Sequence, residues 1–275
     1  MAEVYEDVID SSRRGLFNWK ELWRNQELFY FFTWRDIKIK YKQTVLGFLW
    51  AVLQPLLMML IFTLFLGRAL NLPDQTLPYP VYVFSGLIIW NIFSTGLTNA
   101  ANSMVNNALI IKKIYFPRLI IPVSSILVAV FDFLMAFVLF ALVLVYYQQP
   151  VSINALVYWP ASLLTSIMAT LGLGCWLAAL NVKYRDFRYV IPFLVQVLFF
   201  LTPIIYPASL IDYPYLQYVL AASPMYAAVE FFRFPLTSVM ANPTLVYISL
   251  SANALLLLIG VVYFRRTEDY FADLA

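Results

Sequence analysis

The chain has 275 residues, 63% of them hydrophobic and only 12% charged, with 18 lysines and arginines against 15 acids for a net charge of +3. Soluble domains carry about 25% charged residues, so a mean hydropathy of +0.78 excludes an ordinary water-soluble surface and marks an integral membrane protein. Histidine is absent and Cys175 is the one cysteine, which excludes an intrachain disulfide and a metal cluster of the usual His/Cys kind.

Residues 1–18 (MAEVYEDVIDSSRRGLFN) are polar and lack the apolar core of a secretion signal, so the chain is expected to start in the cytoplasm. In NWKELWRNQELFYFFTW (18–34), Trp19, Leu22, Trp23, Phe29, Tyr30 and Thr33 recur at steps of three and four, with Lys20, Glu21, Arg24 and Glu27 between them. That spacing predicts an amphipathic helix with Asn18 as its N-cap and Glu21 at the third position. Tryptophans on one face and charges on the other suit the headgroup plane. The next stretch, RDIKIKYKQTVLGFLWAVLQPL (35–56), passes straight from lysines at alternate positions into unbroken apolar sequence. Ile37, Tyr41, Val45 and Phe48 continue the apolar stripe, and Asp36 and Lys40 stand where an i,i+4 pair forms. Residues 1–44 therefore read as a cytoplasmic and interfacial region ending in an elbow. It is either a lipid anchor or an element that also transmits force from a partner.

Apolar runs of about 17–25 residues cross a bilayer, and six are present: 45–66, 80–101, 119–147, 154–180, 189–206 and 243–264. The third and fourth exceed the minimum, which implies tilt or an interfacial overhang. An even number puts both termini on one side. Sixteen lysines and arginines then fall on that face, against Arg68 and Arg233 on the other. The positive-inside rule makes the basic face cytoplasmic.

Within the third span Asp132 is the clear ionisable residue near mid-membrane. An interhelical hydrogen bond is the plainer reading and a proton site the other. Cys175 in the fourth span reads as a small buried hydrophobe. Between spans five and six, residues 207–242 are apolar but cut by prolines at 207, 214, 224 and 235. The pieces YLQYVLAA and MYAAVEFFRF are each about half a bilayer long. They are expected to be short re-entrant helices forming an outer gate, or else an amphipathic cap on the headgroups, with Glu230 and Arg233 placed to pair at i,i+3. Aromatic residues make up 18% of the chain. Most belong to an interfacial belt or to packing, while some of Trp50, Tyr82, Trp90, Phe199, Tyr206, Tyr226 and Phe231 are candidates to line a path or the gate. Clustered acids, bases and metal ligands are missing from the spans, which argues against an embedded transferase or hydrolase. The charge relays and internal repeat of a proton-driven carrier are not evident either.

The elbow RDIKIKYKQTVLGFLWAVLQPL, with KKIYFPRLIIPVSSI (112–126), NVKYRDFRYVIPFLVQVLFFLTPIIYP (181–207) and SPMYAAVEFFR (223–233), closely resembles ABC-2-type permeases that export polysaccharides. These include O-antigen exporters of Gram-negative bacteria, whose elbow motif is the nearer match, and the teichoic-acid and capsule exporters. The resemblance covers essentially the whole chain. It implies an all-α transmembrane domain of six helices over 1–275, with an interfacial gate helix at 19–34, a bundle over 45–264 with an outer re-entrant gate at 207–242, and a cytoplasmic tail at 265–275. It further implies a homodimer in the bacterial inner membrane, bound to two ATPase subunits that hold the ATP and Mg. This chain would bind no cofactor or nucleic acid and would not be an enzyme by itself. The substrate implied is a lipid-linked polysaccharide entering among membrane lipids. Lys112, Lys113, Ile114, Tyr115, Phe116, Pro117 and Arg118 would form the ATPase-coupling segment. Trp19, Trp23, Arg35, Lys38 and Lys42 would form the gate helix and the entrance for the anionic lipid head. A permease for a small molecule or lipid, or a carrier using Asp132, is the alternative.

Overall fold

A computed structural model of the protein describes residues 23–42, 47, 49–69, 77–210, 213–239, 242–268 and 271. The expected Asn18 cap, Trp19, Leu22, Val45, Phe48, the tail beyond 271 and residues 211–212 and 240–241 lie outside this set. So does the side chain of Arg68.

The described residues form ten α-helices and no strand: α1 Gln26–Lys42, α2 Leu49–Ala69, α3 Tyr79–Asn106, α4 Ala108–Lys113, α5 Ile120–Tyr146, α6 Ala155–Lys183, α7 Phe187–Leu201, α8 Pro214–Ala221, α9 Tyr226–Thr237 and α10 Pro243–Thr267. Five of them, α2, α3, α5, α6 and α10, are long and apolar enough to cross a membrane, and the protein is a multi-pass membrane protein. The fifth apolar run forms a shorter helix. At 15 residues α7 is about 22 Å long, less than a hydrocarbon core, and the chain continues as an irregular stretch through Pro207.

That irregular stretch survives because a buried cation satisfies its backbone. The Arg233 guanidinium, 3% exposed, donates from Nη1 to the Pro203 carbonyl at 2.8 Å and the Tyr82 hydroxyl at 2.7 Å. Its Nη2 donates to the carbonyls of Ile204 at 2.6 Å and Tyr82 at 3.2 Å. The group lies 3.7 Å from the centre of the Tyr82 ring. Non-helical backbone inside a membrane protein is tolerated where protein groups replace water, and here one forked donor serves three carbonyls. The expected Glu230–Arg233 pair is not formed. Arg233 turns to α3 and the 203–204 carbonyls, because these acceptors lie along its planar fork. Gly86 makes room for it: a Cβ there would stand 2.6 Å from Nη2.

The two short helices between spans five and six are present, close to their expected bounds, and they differ in burial. Helix α9 is packed into the bundle, with Tyr226, Val229, Phe232 and Leu236 buried, whereas the Tyr213–Val219 side of α8 is largely exposed. Polar side chains from the long helices hold the α8–α9 turn. Ser249 Oγ donates to the Ser223 carbonyl at 2.9 Å, and Asn253 Nδ2 to the Pro224 carbonyl at 2.8 Å. From α6, Ser162 Oγ donates to Ala228 O and Trp159 Nε1 to Phe232 O.

Helices α6 and α10 approach backbone to backbone, since a Cβ at Gly260 would fall 1.9 Å from the Gly172 carbonyl oxygen. Small residues at the contact are what allow this. At the opposite end from α9, a second apolar cluster joins Phe32 of α1, Met104, Phe116, Cys175, Val182 and Phe264. This locks α1 against the ends of α3, α6 and α10.

Candidate functional site

Helix α1 does not lie across the bundle; it follows α5 into it. Phe32 packs on Phe116 at 5.5 Å between ring centroids, and Arg35 Nη2 donates to Asn107 Oδ1 at 2.8 Å. About one and a half turns further, Lys40 Nζ and the Tyr41 hydroxyl both donate to the Asp132 carboxylate. Asp132 is twelve residues into α5, about 18 Å along its axis. The expected Asp36–Lys40 pair gives way. Asp36 instead accepts from Arg35 at 2.7 Å, because the buried carboxylate of Asp132, 2% exposed, is the acceptor with most to gain from a cation. Of the two readings of Asp132, the interhelical tie is the one made, and its partners are a lysine and a tyrosine of the elbow. Burial, followed by the hydrogen bond and charge of Asp132, pushes the Tyr41 phenol well above its ordinary value. Gly47, at φ +49, turns the chain between α1 and α2.

The elbow walls two cavities. One, of about 370 Å³, is lined by Phe31, Trp34, Arg35, Lys38, Ile39 and Lys42. Three of the predicted lipid-head residues thus share one groove. Lys38 stands over the Trp34 ring at 5.3 Å and Arg35 over Phe32 at 4.8 Å. Three cations beside exposed aromatic surface fit an anionic group carried on an apolar tail. Trp23 is exposed and is not among the groove's lining residues, and Trp19 lies outside the described residues.

The second cavity, of about 660 Å³, opens between α1, α3 and α5, with Arg35, Lys40, Thr95, Asn99, Asn106 and Ser125 among its walls. It borders a polar stripe on α3, Asn91, Thr95, Thr98, Asn99, Asn102 and Asn106, which the sequence reading passed over. The signal was available in NIFSTGLTNAANSMVNN, where amides and hydroxyls recur at three- and four-residue steps.

The predicted coupling segment divides into two parts. Lys112, Lys113, Ile114 and Tyr115 are exposed, as is the neighbouring Leu109, whereas Phe116 and Pro117 are buried anchors. Only Ala108–Lys113 is helical. Arg118 is partly buried and not free. Of the predicted aromatics, Tyr82, Trp90 and Tyr226 are buried in packing. Trp90 sits 5.1 Å from Phe93 and 5.6 Å from Phe199. Tyr206 and Phe231 are half-buried, and the Tyr206 hydroxyl donates to Phe200 O. Trp50 is exposed on α2.

The profile of the ABC-2 type transporter family matches residues 27–237. The chain is 28% identical over 243 residues to an O-antigen export system permease protein of Klebsiella pneumoniae, covering 87% of this chain and 92% of that one. An O-antigen export system permease protein of Myxococcus xanthus is 31% identical over 210 residues, 75% of this chain and 78% of that one. A polysialic acid transport protein of Escherichia coli is 25% identical over 247 residues, covering 86% and 91%.

Proposed function

The chain belongs to the ABC-2 type transporter family, and on that premise we propose that it is the permease subunit of an exporter carrying a lipid-linked polysaccharide across a bacterial inner membrane. The observation that carries this reading is the similarity to permeases named for O-antigen export, over most of both chains. The working unit is a homodimer with two ATP-hydrolysing subunits, and both termini face the cytoplasm, where the basic loops gather. ATP and Mg belong to the partner.

In this reading the substrate's pyrophosphate docks in the groove of Arg35, Lys38 and Lys42, with its polyprenyl tail in lipid beside Phe31 and Trp34. The exposed knobs Leu109, Ile114 and Tyr115, flanked by Lys112 and Lys113, sit in a cleft of the ATPase. Phe116, rooted in the same cluster as Phe32, carries its motion to the elbow. Helices α8 and α9 form the outer gate, with Arg233 as the pin that holds the gate against α3. The Asp132 carboxylate is engaged by Lys40 and Tyr41, which favours a structural tie over a carrier's proton site.

Deleting the gene in its own host and assaying glycan on both sides of the membrane tests the function. Loss of surface polysaccharide with lipid-linked polymer accumulating inside is expected. Unchanged surface glycan would transfer the protein to export of a small molecule or lipid. The double variant Lys38→Ala/Lys42→Ala should cut export at least tenfold while the protein still inserts, and undiminished export would remove the lipid head from this groove.

A further inference from the structure

We infer that the cavity between α1, α3 and α5 is a sugar-binding subsite, in which the carboxamides of Asn99 and Asn106 read the hydroxyls of the glycan segment next to the lipid pyrophosphate. The inference rests on the export reading and deepens it, by assigning the recognition of the sugar to residues separate from those that hold the phosphate.

Charge separates the two cavities. Beyond the shared Arg35, the outer groove presents Lys38 and Lys42, neither of them in an ion pair among the described residues. The inner cavity's ions are already matched, Arg35 to Asp36 and Lys40 to Asp132. An anion gains little there, and an uncharged polar ligand loses nothing. Most of the cavity's neutral polar groups are also committed. The Thr95 hydroxyl donates to Asn91 Oδ1 at 3.1 Å, Ser103 to Ala100 O and Ser125 to Ile121 O. Asn107 donates to Ser103 O and accepts from Arg35.

Asn99 and Asn106 are the exceptions. Among the described residues neither carboxamide has a hydrogen-bond partner, although both line the cavity. A carboxamide offers two donors and an acceptor in one plane, the complement of neighbouring hydroxyls that each donate and accept. The two amides are seven residues apart on α3, about 10 Å along its axis. That spacing fits a disaccharide better than a single ring. A volume of about 660 Å³ lies within the usual range of small-molecule pockets. Arg35 lines both cavities, so the pyrophosphate and the first sugars would lie on either side of one guanidinium.

The test is equilibrium binding to the full-length protein in nanodiscs, with two probes: polyprenyl pyrophosphate bearing no sugar, and lipid-linked glycan extracted from the host membrane. The glycan-bearing lipid should bind wild type at least tenfold more tightly than the bare one. Asn99→Leu and Asn106→Leu should each reduce that ratio at least threefold, and Asn106→Gln, which keeps the carboxamide, should hold it within twofold. Asn106 is exposed, so Asn106→Leu decides the matter even if Asn99→Leu misfolds. Equal affinity of wild type for both lipids, or an undiminished ratio in the leucine variants, would overturn the sugar subsite and leave the export reading standing. Failure of wild type to bind either lipid would overturn both.

Discussion

The tie between the elbow and α5 makes a prediction with an asymmetry. Lys40→Met leaves the Asp132 carboxylate, 2% exposed, in the interior with only Tyr41 to satisfy it. Breaking a buried pair from that side costs about 3–5 kcal/mol. Asp132→Asn instead leaves an ammonium whose side chain is 37% exposed, so water in the cleft can take over. The loss is then a charge-assisted hydrogen bond discounted for exposure, about 1.5 kcal/mol. At about 2–4 °C per kcal/mol, melting should fall by ~10 °C for Lys40→Met and ~4 °C for Asp132→Asn. The double variant should lose less than the two singles together. Cys175, the one cysteine and fully buried, serves as a built-in reporter, because a thiol-reactive dye lights up only when the bundle opens. The reasoning is refuted if Asp132→Asn is the more damaging change. Effects additive within about 0.5 kcal/mol would refute it equally.

Tyr41 carries a pH signature. Its phenol is pushed above the ordinary 10.0, so the neutral form is favoured by folding; its contribution is complete below about pH 10 and is lost as pH climbs further. The melting difference between wild type and Tyr41→Phe should be flat from about pH 6 to 9 and shrink above about 10. Gly260→Ala drives a Cβ to 1.9 Å from the Gly172 carbonyl oxygen, backbone that cannot step aside. It should cost about 3 kcal/mol or more, whereas Gly67→Ala, facing the movable Tyr79 ring at 3.0 Å, should cost under about 1 kcal/mol. Arg233→Met strips the donor from the carbonyls of Pro203 and Ile204, and amide exchange across 202–207 should accelerate at least tenfold. Arg233→Lys, a point charge without the fork, should restore less than half of that protection. Ile114→Asp with Tyr115→Asp should abolish co-purification of an ATPase without lowering the melting temperature, since both side chains are exposed.

The spans were legible because a bilayer demands long apolar runs and proline punctuates them. The four prolines of 207–242 were enough to announce two short helices. The partners of the charged residues were not legible. Local rules offered Asp36 to Lys40 and Glu230 to Arg233, each one helical turn away. The fold supplied Asp132, ninety-two positions from Lys40, and the 203–204 carbonyls twenty-nine and thirty positions from Arg233. In an apolar interior a charge goes to the acceptor that is costliest to leave alone, and sequence spacing cannot rank those costs. The aromatics were legible only as a class. Composition marked Tyr82, Trp90 and Tyr226 as candidates for a path or the gate, and in the fold all three are buried in packing, because large rings contribute most to burial.

The polar stripe on α3 shows how the two ends of the site are mechanically joined. Its last turn runs into Asn107, the break between α3 and α4. The carbonyl of that residue accepts from Ile110 and Ile111, so it begins the helix proposed to meet the ATPase. Its side chain accepts from Arg35, the wall shared by both cavities. A displacement of α4 therefore cannot leave Arg35 where it was: either the Asn107 bond breaks, or the guanidinium moves with it and both cavities change shape together. Lys40 and Tyr41, fixed one and a half turns further on by Asp132, supply the pivot. The arrangement places the exposed knobs proposed to meet an ATPase and the groove proposed for the lipid head at opposite ends of a lever a few residues long, which is why residues 109–115 and the elbow are best perturbed as a pair.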